Sequence, residues 1–179
     1  MSRSSPMRRL ILLRHAKSDW PDGIADPERP LAPRGRAAAP LVGAYLSRES
    51  LVPDLVLVSP ARRTRETWDL VAPCLPRSPK AAPEPRIYEA SAARLLAVLR
   101  DQPAEVHTLM LVGHNPGMED LAELLVHEGP TLARDAMGEK FPTGALAVID
   151  FPIDDWAAIA PHLGRLDRFI VPRALSAED

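Results

Sequence analysis

An arginine and a histidine stand side by side where the first apolar run of the chain ends. Residues 10–13 are all apolar, and Arg14 and His15 follow them directly. A short unbroken apolar run is typical of a strand buried on both faces, as in a parallel sheet. A guanidinium binds anions and an imidazole can act as nucleophile or base, so the pair predicts an anion site. These residues alone also fit an exposed basic pair without chemistry.

Three further predicted strands end at residues that could take part in the same chemistry. Residues 59–63 follow the predicted strand 54–58, Glu89 follows the short predicted strand 86–88, and His114 with Asn115 follows the predicted strand 107–112. The carboxyl ends of parallel strands form one edge of an α/β sheet, where ligands bind. Two histidines, two arginines and a carboxyl group at one edge suit phosphoryl transfer.

The spacing of apolar residues predicts elements that alternate along most of the chain. Helical spacing covers residues 34–47, 60–71, 92–100 and 118–126. Strand patterns cover residues 8–13, 54–58, 86–88, 107–112, 144–151, 156–160 and 168–171. The stretches 20–33, 73–85 and 128–142 are predicted to be irregular. Strands alternating with helices indicate an α/β fold with a mostly parallel central sheet, and the late strands suggest an antiparallel addition at one edge.

Composition limits the classes of protein to consider. The chain has 179 residues, 46% hydrophobic and 26% charged, with a formal net charge of −2. We therefore expect one domain over residues 8–173, with a disordered N-terminal tail at 1–7 and a C-terminal tail at 174–179. The charge gives no reason to expect a nucleic-acid or membrane partner. Cys74 is the single cysteine, which excludes an internal disulfide and favours a cytoplasmic location.

Four sequence blocks in order resemble those of the histidine phosphatase superfamily, which has the phosphoglycerate mutase-like fold, and a fifth block resembles a strand entry of one of its subgroups. Residues 13–16 read Leu-Arg-His-Ala, with Ala16 in place of the glycine of the family's Arg-His-Gly signature. Residues 29–31 read Arg-Pro-Leu ahead of Gly35, and residues 59–67 read Ser-Pro-Ala-Arg-Arg-Thr-Arg-Glu-Thr. Residues 113–116 read Gly-His-Asn-Pro, and residues 141–145 read Phe-Pro-Thr-Gly-Ala. The chain is most similar to SixA-type phosphohistidine phosphatases over about residues 8–173, which implies a three-layer sandwich.

The resemblance implies a role for each matching residue. His15 would be the nucleophile that becomes transiently phosphorylated, and His114 would donate to a non-bridging phosphate oxygen. Arg14 and Arg63 would bind the phosphate, whereas Arg62 falls on a variable position. No metal or cofactor is implied. Ser18 and Asn115 are further predicted phosphate contacts, although a turn-capping role is equally open for Ser18.

The general acid is predicted to be Glu89, because it follows a strand pattern that should end at the same sheet edge. Asp19 is an alternative, since it lies closer to His15 in sequence. Glu89 could also be only a favourable charge at a helix start, ahead of Ser91. An acid matters most for an alkoxide leaving group, whereas imidazole leaves more easily.

The chain has little spare length for a lid over the site, and the loop 20–33 is the one candidate segment near His15. An open site would admit a phosphorylated side chain of a protein, such as a histidine-containing phosphotransfer domain. The favoured function is therefore phosphohistidine phosphatase. A phosphatase of small phosphomonoester metabolites is the second interpretation, and a non-catalytic phosphate-dependent binding module is a third. His107, His127 and His162 lack metal-site spacing and are expected to be structural or exposed.

Overall fold

A seven-stranded mixed sheet forms the centre of the computed structural model, which describes residues 6–175. Its strands are β1 Arg8–Arg14, β2 Leu55–Val58, β3 Lys80–Pro83, β4 Thr108–Gly113, β5 Val126–Glu128, β6 Leu146–Phe151 and β7 Gly164–Ile170. They lie in the order β3-β2-β4-β1-β6-β7-β5. The pairs β1–β4, β2–β3, β2–β4 and β5–β7 are parallel, whereas β6 is antiparallel to both of its neighbours. The predicted mostly parallel sheet with an antiparallel addition is confirmed.

Helices cover both faces of the sheet and make three layers. They are α1 Pro33–Arg48, α2 Arg62–Val71, α3 Ala92–Arg100, α4 Gly117–Leu125, α5 Thr131–Glu139 and α6 Pro172–Leu175. Leu10 and Leu12 of β1 pack into the core with α3 and α4, whereas Ile11 and Leu13 pack into the core with α1 and α2. All four side chains are fully buried, because alternate residues of a strand point to opposite faces. The unbroken apolar run therefore marks a doubly covered strand.

Several predicted elements are wrong, mainly where the apolar pattern is weak. β3 lies inside the predicted loop 73–85, and residues 86–88 fall largely in a 3-10 helix, Pro85–Ile87, instead of a strand. α5 occupies the stretch predicted to be irregular, and the predicted strand 156–160 is a 3-10 helix over Trp156–Ala158. β3 is an edge strand with no buried residue, and α5 buries Met137 alone, so neither leaves a clear apolar pattern.

The ends of the chain fall partly outside the described residues. The predicted tail 1–7 overlaps residues 6–175 only at positions 6 and 7, which have no secondary structure. Residues 174 and 175 of the second predicted tail belong to α6, and Leu175 packs against the core beneath α1. Within residues 6–175, no helix is both long and apolar enough to span a membrane.

Candidate active site

A cavity of about 680 Å³ opens where β1, β2 and β4 end, and all seven predicted site residues line it. They are Arg14, His15, Ser18, Arg63, Glu89, His114 and Asn115. Asp19, the alternative acid, does not line the cavity; its backbone N–H and C=O bond to Pro30 and Arg29. The segments after β1, β2 and β4 and the residues after the 3-10 helix Pro85–Ile87 therefore meet around one space, at the carboxyl edge of the parallel strands.

His15 is held with one ring nitrogen free. Its Nδ1 lies 2.7 Å from the carbonyl oxygen of Ala16. A carbonyl oxygen can only accept, so Nδ1 carries the proton and Nε2 keeps its lone pair in the neutral ring. Burial, followed by the nearby His114 and Arg14, lowers the pKa of His15 from 6.5 to about 3. The imidazole is therefore a neutral potential nucleophile at pH 7.

His114 faces His15, with ring centroids 5.4 Å apart. Its Nε2 lies 2.7 Å from the Oγ of Ser59, a residue that is fully buried. Burial and the Arg63 charge lower the pKa of His114 to about 4, so the ring is neutral at pH 7. If the serine hydroxyl donates to Nε2, the proton of the neutral ring lies on Nδ1. That Nδ1 is buried and has no hydrogen-bond partner within residues 6–175, so in this tautomer the ring offers a donor to a ligand.

The predicted helix 60–71 begins two residues later than expected, and Ser59 does not cap it. α2 begins at Arg62, its N-cap is Ala61, and no side chain caps it. The hydroxyl of Ser59 is used instead on His114. The sequence offered one hint, because Ser59 ends a buried strand run at the same edge as the other site residues.

Two arginines complete the ring of donors. Arg14 donates through Nη1 to the Phe141 carbonyl, and Arg63 donates through Nη1 and Nη2 to the backbone and carboxylate of Asp26. The Nε atoms of Arg14 and Arg63 are buried without a partner in the described part of the chain. A buried donor left unpaired costs about 1–3 kcal/mol, and more when it is charged. Together with His114 Nδ1, these unpaired donors favour an anion in the cavity.

The loop after β1 is fixed from two helices. The Ala16 N–H donates to Thr67 Oγ1 of α2, whose hydroxyl donates to the Arg63 carbonyl. Gly35 of α1 lies so close that an added Cβ would stand 2.1 Å from the Lys17 carbonyl oxygen. These contacts explain physically why a threonine and a glycine stand at those positions of the family's blocks, since a larger residue at Gly35 would displace the loop.

Asp26 is a site residue that sequence reasoning missed. Its carboxylate accepts hydrogen bonds from Arg63, from Arg29 and from the Tyr88 hydroxyl. The Tyr88 hydroxyl, then Arg29 and Arg63, lowers the pKa of Asp26 to about 2. The tyrosine ring meets His114 edge-on, with centroids 5.6 Å apart. Asp26 therefore ties three site residues together, although it lies in a proline-punctuated loop with no periodic pattern.

The remaining predicted site residues differ in their exposure and in whether their polar groups already have hydrogen-bond partners. Ser18 is buried, and its Oγ accepts from Arg29 Nη2 at 2.6 Å. Asn115 donates to the Phe141 carbonyl and accepts from the Glu119 N–H, so both ends of its amide hold the loop. Glu89 is exposed at the rim, with a left-handed backbone of φ 54°. Within residues 6–175, no cluster of three or more metal-ligating side chains could hold a metal ion.

Comparison with known proteins agrees with this geometry. The sequence model of the Histidine phosphatase superfamily (branch 1) matches residues 10–95. A structure from Agrobacterium tumefaciens, assigned as the phosphohistidine phosphatase SixA, is 32% identical with a TM-score of 0.78, and the match covers 94% of this chain and 100% of that one. The chain belongs to the histidine phosphatase superfamily. The resemblance found in the sequence blocks is confirmed.

Two further relatives of this histidine phosphatase extend the match over nearly the whole chain. An uncharacterized protein of Mycobacterium tuberculosis, Rv1276c, is 39% identical over 163 residues, which are 90% of this chain and 100% of the relative. A structure from Nakamurella, also assigned as SixA, is 28% identical with a TM-score of 0.81 and covers 93% of this chain and 96% of that one. The match to the family's sequence model ends at residue 95. Because these two relatives cover 90% and 93% of the chain, the similarity extends beyond that point to the His114 block.

Proposed function

We propose that this histidine phosphatase hydrolyses phosphohistidine on proteins through a covalent phosphoryl intermediate on His15. The observation that carries the proposal is the set of unpaired buried donors beside a neutral nucleophile. Arg14 Nε, Arg63 Nε and His114 Nδ1 lack partners in the described chain, and His15 presents a free Nε2. A phosphoryl group fits there because its oxygens can accept from all three donors.

In the first step, the Nε2 lone pair of His15 forms a bond to phosphorus. The bond from phosphorus to the leaving nitrogen of the substrate breaks, and that nitrogen keeps the electron pair and takes up a proton. Arg14 and Arg63 hold the equatorial oxygens, and His114 donates its Nδ1 proton to one of them as a hydrogen bond. Catalysis is then mainly positioning and stabilisation of charge in a preorganised site.

In the second step, water attacks the phosphorus of the phosphorylated His15. A new P–O bond forms, the P–N bond to His15 breaks, and the electron pair returns to Nε2. The carboxyl group that protonated the leaving group in the first step takes a proton from the water. Glu89 is the proposed acid and base because it lines the cavity.

The rim of the cavity supports a protein substrate. Lys17, Trp20, Glu89, Pro116 and Asp120 line the cavity and are all exposed. Trp20 remains 75% exposed although the Arg29 guanidinium lies 3.2 Å from its ring centroid. The loop 20–33 therefore borders the site without closing it, which leaves room for a side chain presented by another protein. The two neighbours assigned as SixA carry the same substrate class in their names.

A phosphatase of small phosphomonoesters is the second candidate function, favoured by the carboxyl group at the rim. An alkoxide leaving group needs a proton, and Glu89, which lines the cavity, would supply it. One screen separates the candidates: kcat/KM is measured for a phosphohistidine peptide and for a panel of metabolite phosphates. We expect the phosphohistidine peptide to be the better substrate by at least about tenfold, equivalent to 1.4 kcal/mol of transition-state stabilisation. A metabolite phosphate hydrolysed faster than the peptide would replace the proposal with the second candidate.

A further inference from the structure

A second cavity of about 680 Å³ lies beside the catalytic one and is lined by an excess of positive charge. Within residues 6–175, its cations are Lys17, Arg34, Lys140 and Arg173, and its one acidic residue is Glu139. We call this second cavity the basic groove. Such an imbalance stands out in a chain whose formal net charge is −2. A local positive potential of this kind attracts anionic partners even when the whole protein is weakly acidic.

The basic groove is continuous with the proposed active site. Lys17 and Thr143 line both cavities. Lys17 follows the signature residues Arg14, His15 and Ala16 directly, and its backbone carbonyl is fixed by the Ala32 N–H at 2.8 Å. A chain that places a phosphorylated side chain against His15 can therefore leave the site along the groove.

Two exposed acidic residues of the catalytic cavity, Glu89 and Asp120, do not line the basic groove. An acidic segment is therefore attracted to the groove and not to those two residues.

The floor of the groove can also receive apolar atoms. Phe169 and Val171 line it and are only partly buried, and Pro142 lies beside Thr143. Arg34 and Lys140 are exposed above this floor. Amphipathic lining of this kind suits a polypeptide, because it offers both charge pairing and apolar contact.

We propose that the basic groove docks an acidic segment of the phosphorylated protein substrate, with the phosphohistidine in the adjoining catalytic cavity. This proposal rests on the proposed function and adds the chemistry of the partner. Each exposed ion pair contributes about 0.2–1 kcal/mol, which is roughly a 1.4-fold to fivefold effect. Several pairs together should change kcat/KM by about tenfold at low salt, and the effect should fade as ions screen it.

The experiment uses two synthetic phosphohistidine peptides that differ only in their flanks. One carries Asp and Glu on both sides of the phosphohistidine, and the other carries Asn and Gln. We expect the wild-type enzyme to prefer the acidic peptide by about tenfold in kcat/KM at low ionic strength. The double variant Arg34→Glu with Lys140→Glu should lose this preference and keep its rate on para-nitrophenyl phosphate, because neither residue lines the catalytic cavity.

A matched control reverses two charges elsewhere. Lys80 on the edge strand β3 and Arg94 on α3 are exposed and line neither cavity. Lys80→Glu with Arg94→Glu changes the net charge equally and should keep the preference. The docking proposal is overturned if the wild type does not distinguish the peptides, or if the groove variant still prefers the acidic one. If neither peptide is hydrolysed while para-nitrophenyl phosphate is, the proposed function fails and the docking proposal fails with it.

Discussion

The two halves of the sheet contribute to the site in different ways. The parallel half, β3-β2-β4-β1, leads into the proposed nucleophile and phosphate-binding side chains: Arg14 ends β1 and His15 follows it, Arg63 comes after β2, and His114 comes after β4. The other half, β6-β7-β5, in which β6 is antiparallel to both of its neighbours, is preceded by a segment that contributes backbone groups. The Phe141 carbonyl accepts from Arg14, and the Gly144 N–H donates to the carbonyls of Arg14 and His15. One half carries reactive groups, and the other holds them in place.

The largest effect should come from the proposed nucleophile in the parallel half. His15→Ala removes the Nε2 that forms the covalent bond, so hydrolysis of both phosphohistidine and para-nitrophenyl phosphate should fall to the uncatalysed background. Steady-state assays with a sensitive phosphate detector measure the residual rate. If the variant keeps a substantial part of the wild-type rate, the covalent route through His15 is wrong.

The second largest effect should be the difference in kcat between alanine variants of two adjacent arginines. Arg63 is buried against Asp26, whereas Arg62 is 47% exposed and pairs with Glu66 at 3.5 Å. Arg63→Ala should lower kcat by about 10²–10³-fold, equivalent to about 3–4 kcal/mol in comparable oxyanion sites. Arg62→Ala should stay within a few-fold of wild type and serves as the matched control. Equal losses would mean that the phosphate-binding arginine of this block has been misassigned.

Glu89→Gln should separate substrates by their leaving groups. Loss of a general acid lowers a rate by about 10²-fold or more when the leaving group is an alkoxide. Imidazole is a far weaker base, so phosphohistidine hydrolysis should fall only a few-fold. Both rates are measured in the same variant, with Asp19→Asn as the comparison. An unchanged ester rate in Glu89→Gln, together with a lowered one in Asp19→Asn, would assign the acid to Asp19.

Ser59→Ala tests whether a buried hydroxyl sets the proton position on His114. Without the hydroxyl, Nε2 has no donor, and the Nδ1-protonated form that can donate to phosphate is less favoured. We expect kcat to fall by about tenfold, a loss of about 1.4 kcal/mol, with little change in the thermal unfolding midpoint. ¹⁵N chemical shifts of the His114 ring should move toward the Nε2-protonated tautomer. Unaltered shifts and an unaltered kcat would show that Ser59 does not act through His114.

The smallest expected effect is a change in the folding stability of the protein at acidic pH. The pKa values of His15 and His114 are lowered from 6.5 to about 3 and about 4. Between those values and pH 6.5 the unfolded chain binds more protons than the folded chain, so stability falls as the pH falls. The drop in unfolding midpoint from pH 7 to pH 4.5 should be larger for the wild type than for His15→Gln with His114→Gln. Equal drops would indicate that these histidines do not resist protonation in the folded protein.

Prediction from sequence succeeded for β1, β2 and β4 and was weaker for β3, α5 and the contacts of Asp26. β1, β2 and β4 are doubly covered strands, so their apolar runs mark them and the polar residues that follow them. α5 buries Met137 alone and β3 buries nothing, so tertiary contacts place them without leaving a pattern. Asp26 acts through hydrogen bonds to Arg29, Arg63 and Tyr88. Such bonds join residues that are distant in the chain, and no local spacing reveals them.

The most direct test of the account is capture of the phosphoenzyme. The enzyme is mixed with a ³²P-labelled phosphohistidine peptide, quenched at alkaline pH within milliseconds, and digested for mass spectrometry. The account predicts an acid-labile, base-stable phosphoryl group on Nε2 of His15, formed and lost at rates compatible with turnover. A phosphoryl group on another residue, or its absence during rapid turnover, would contradict the proposed mechanism.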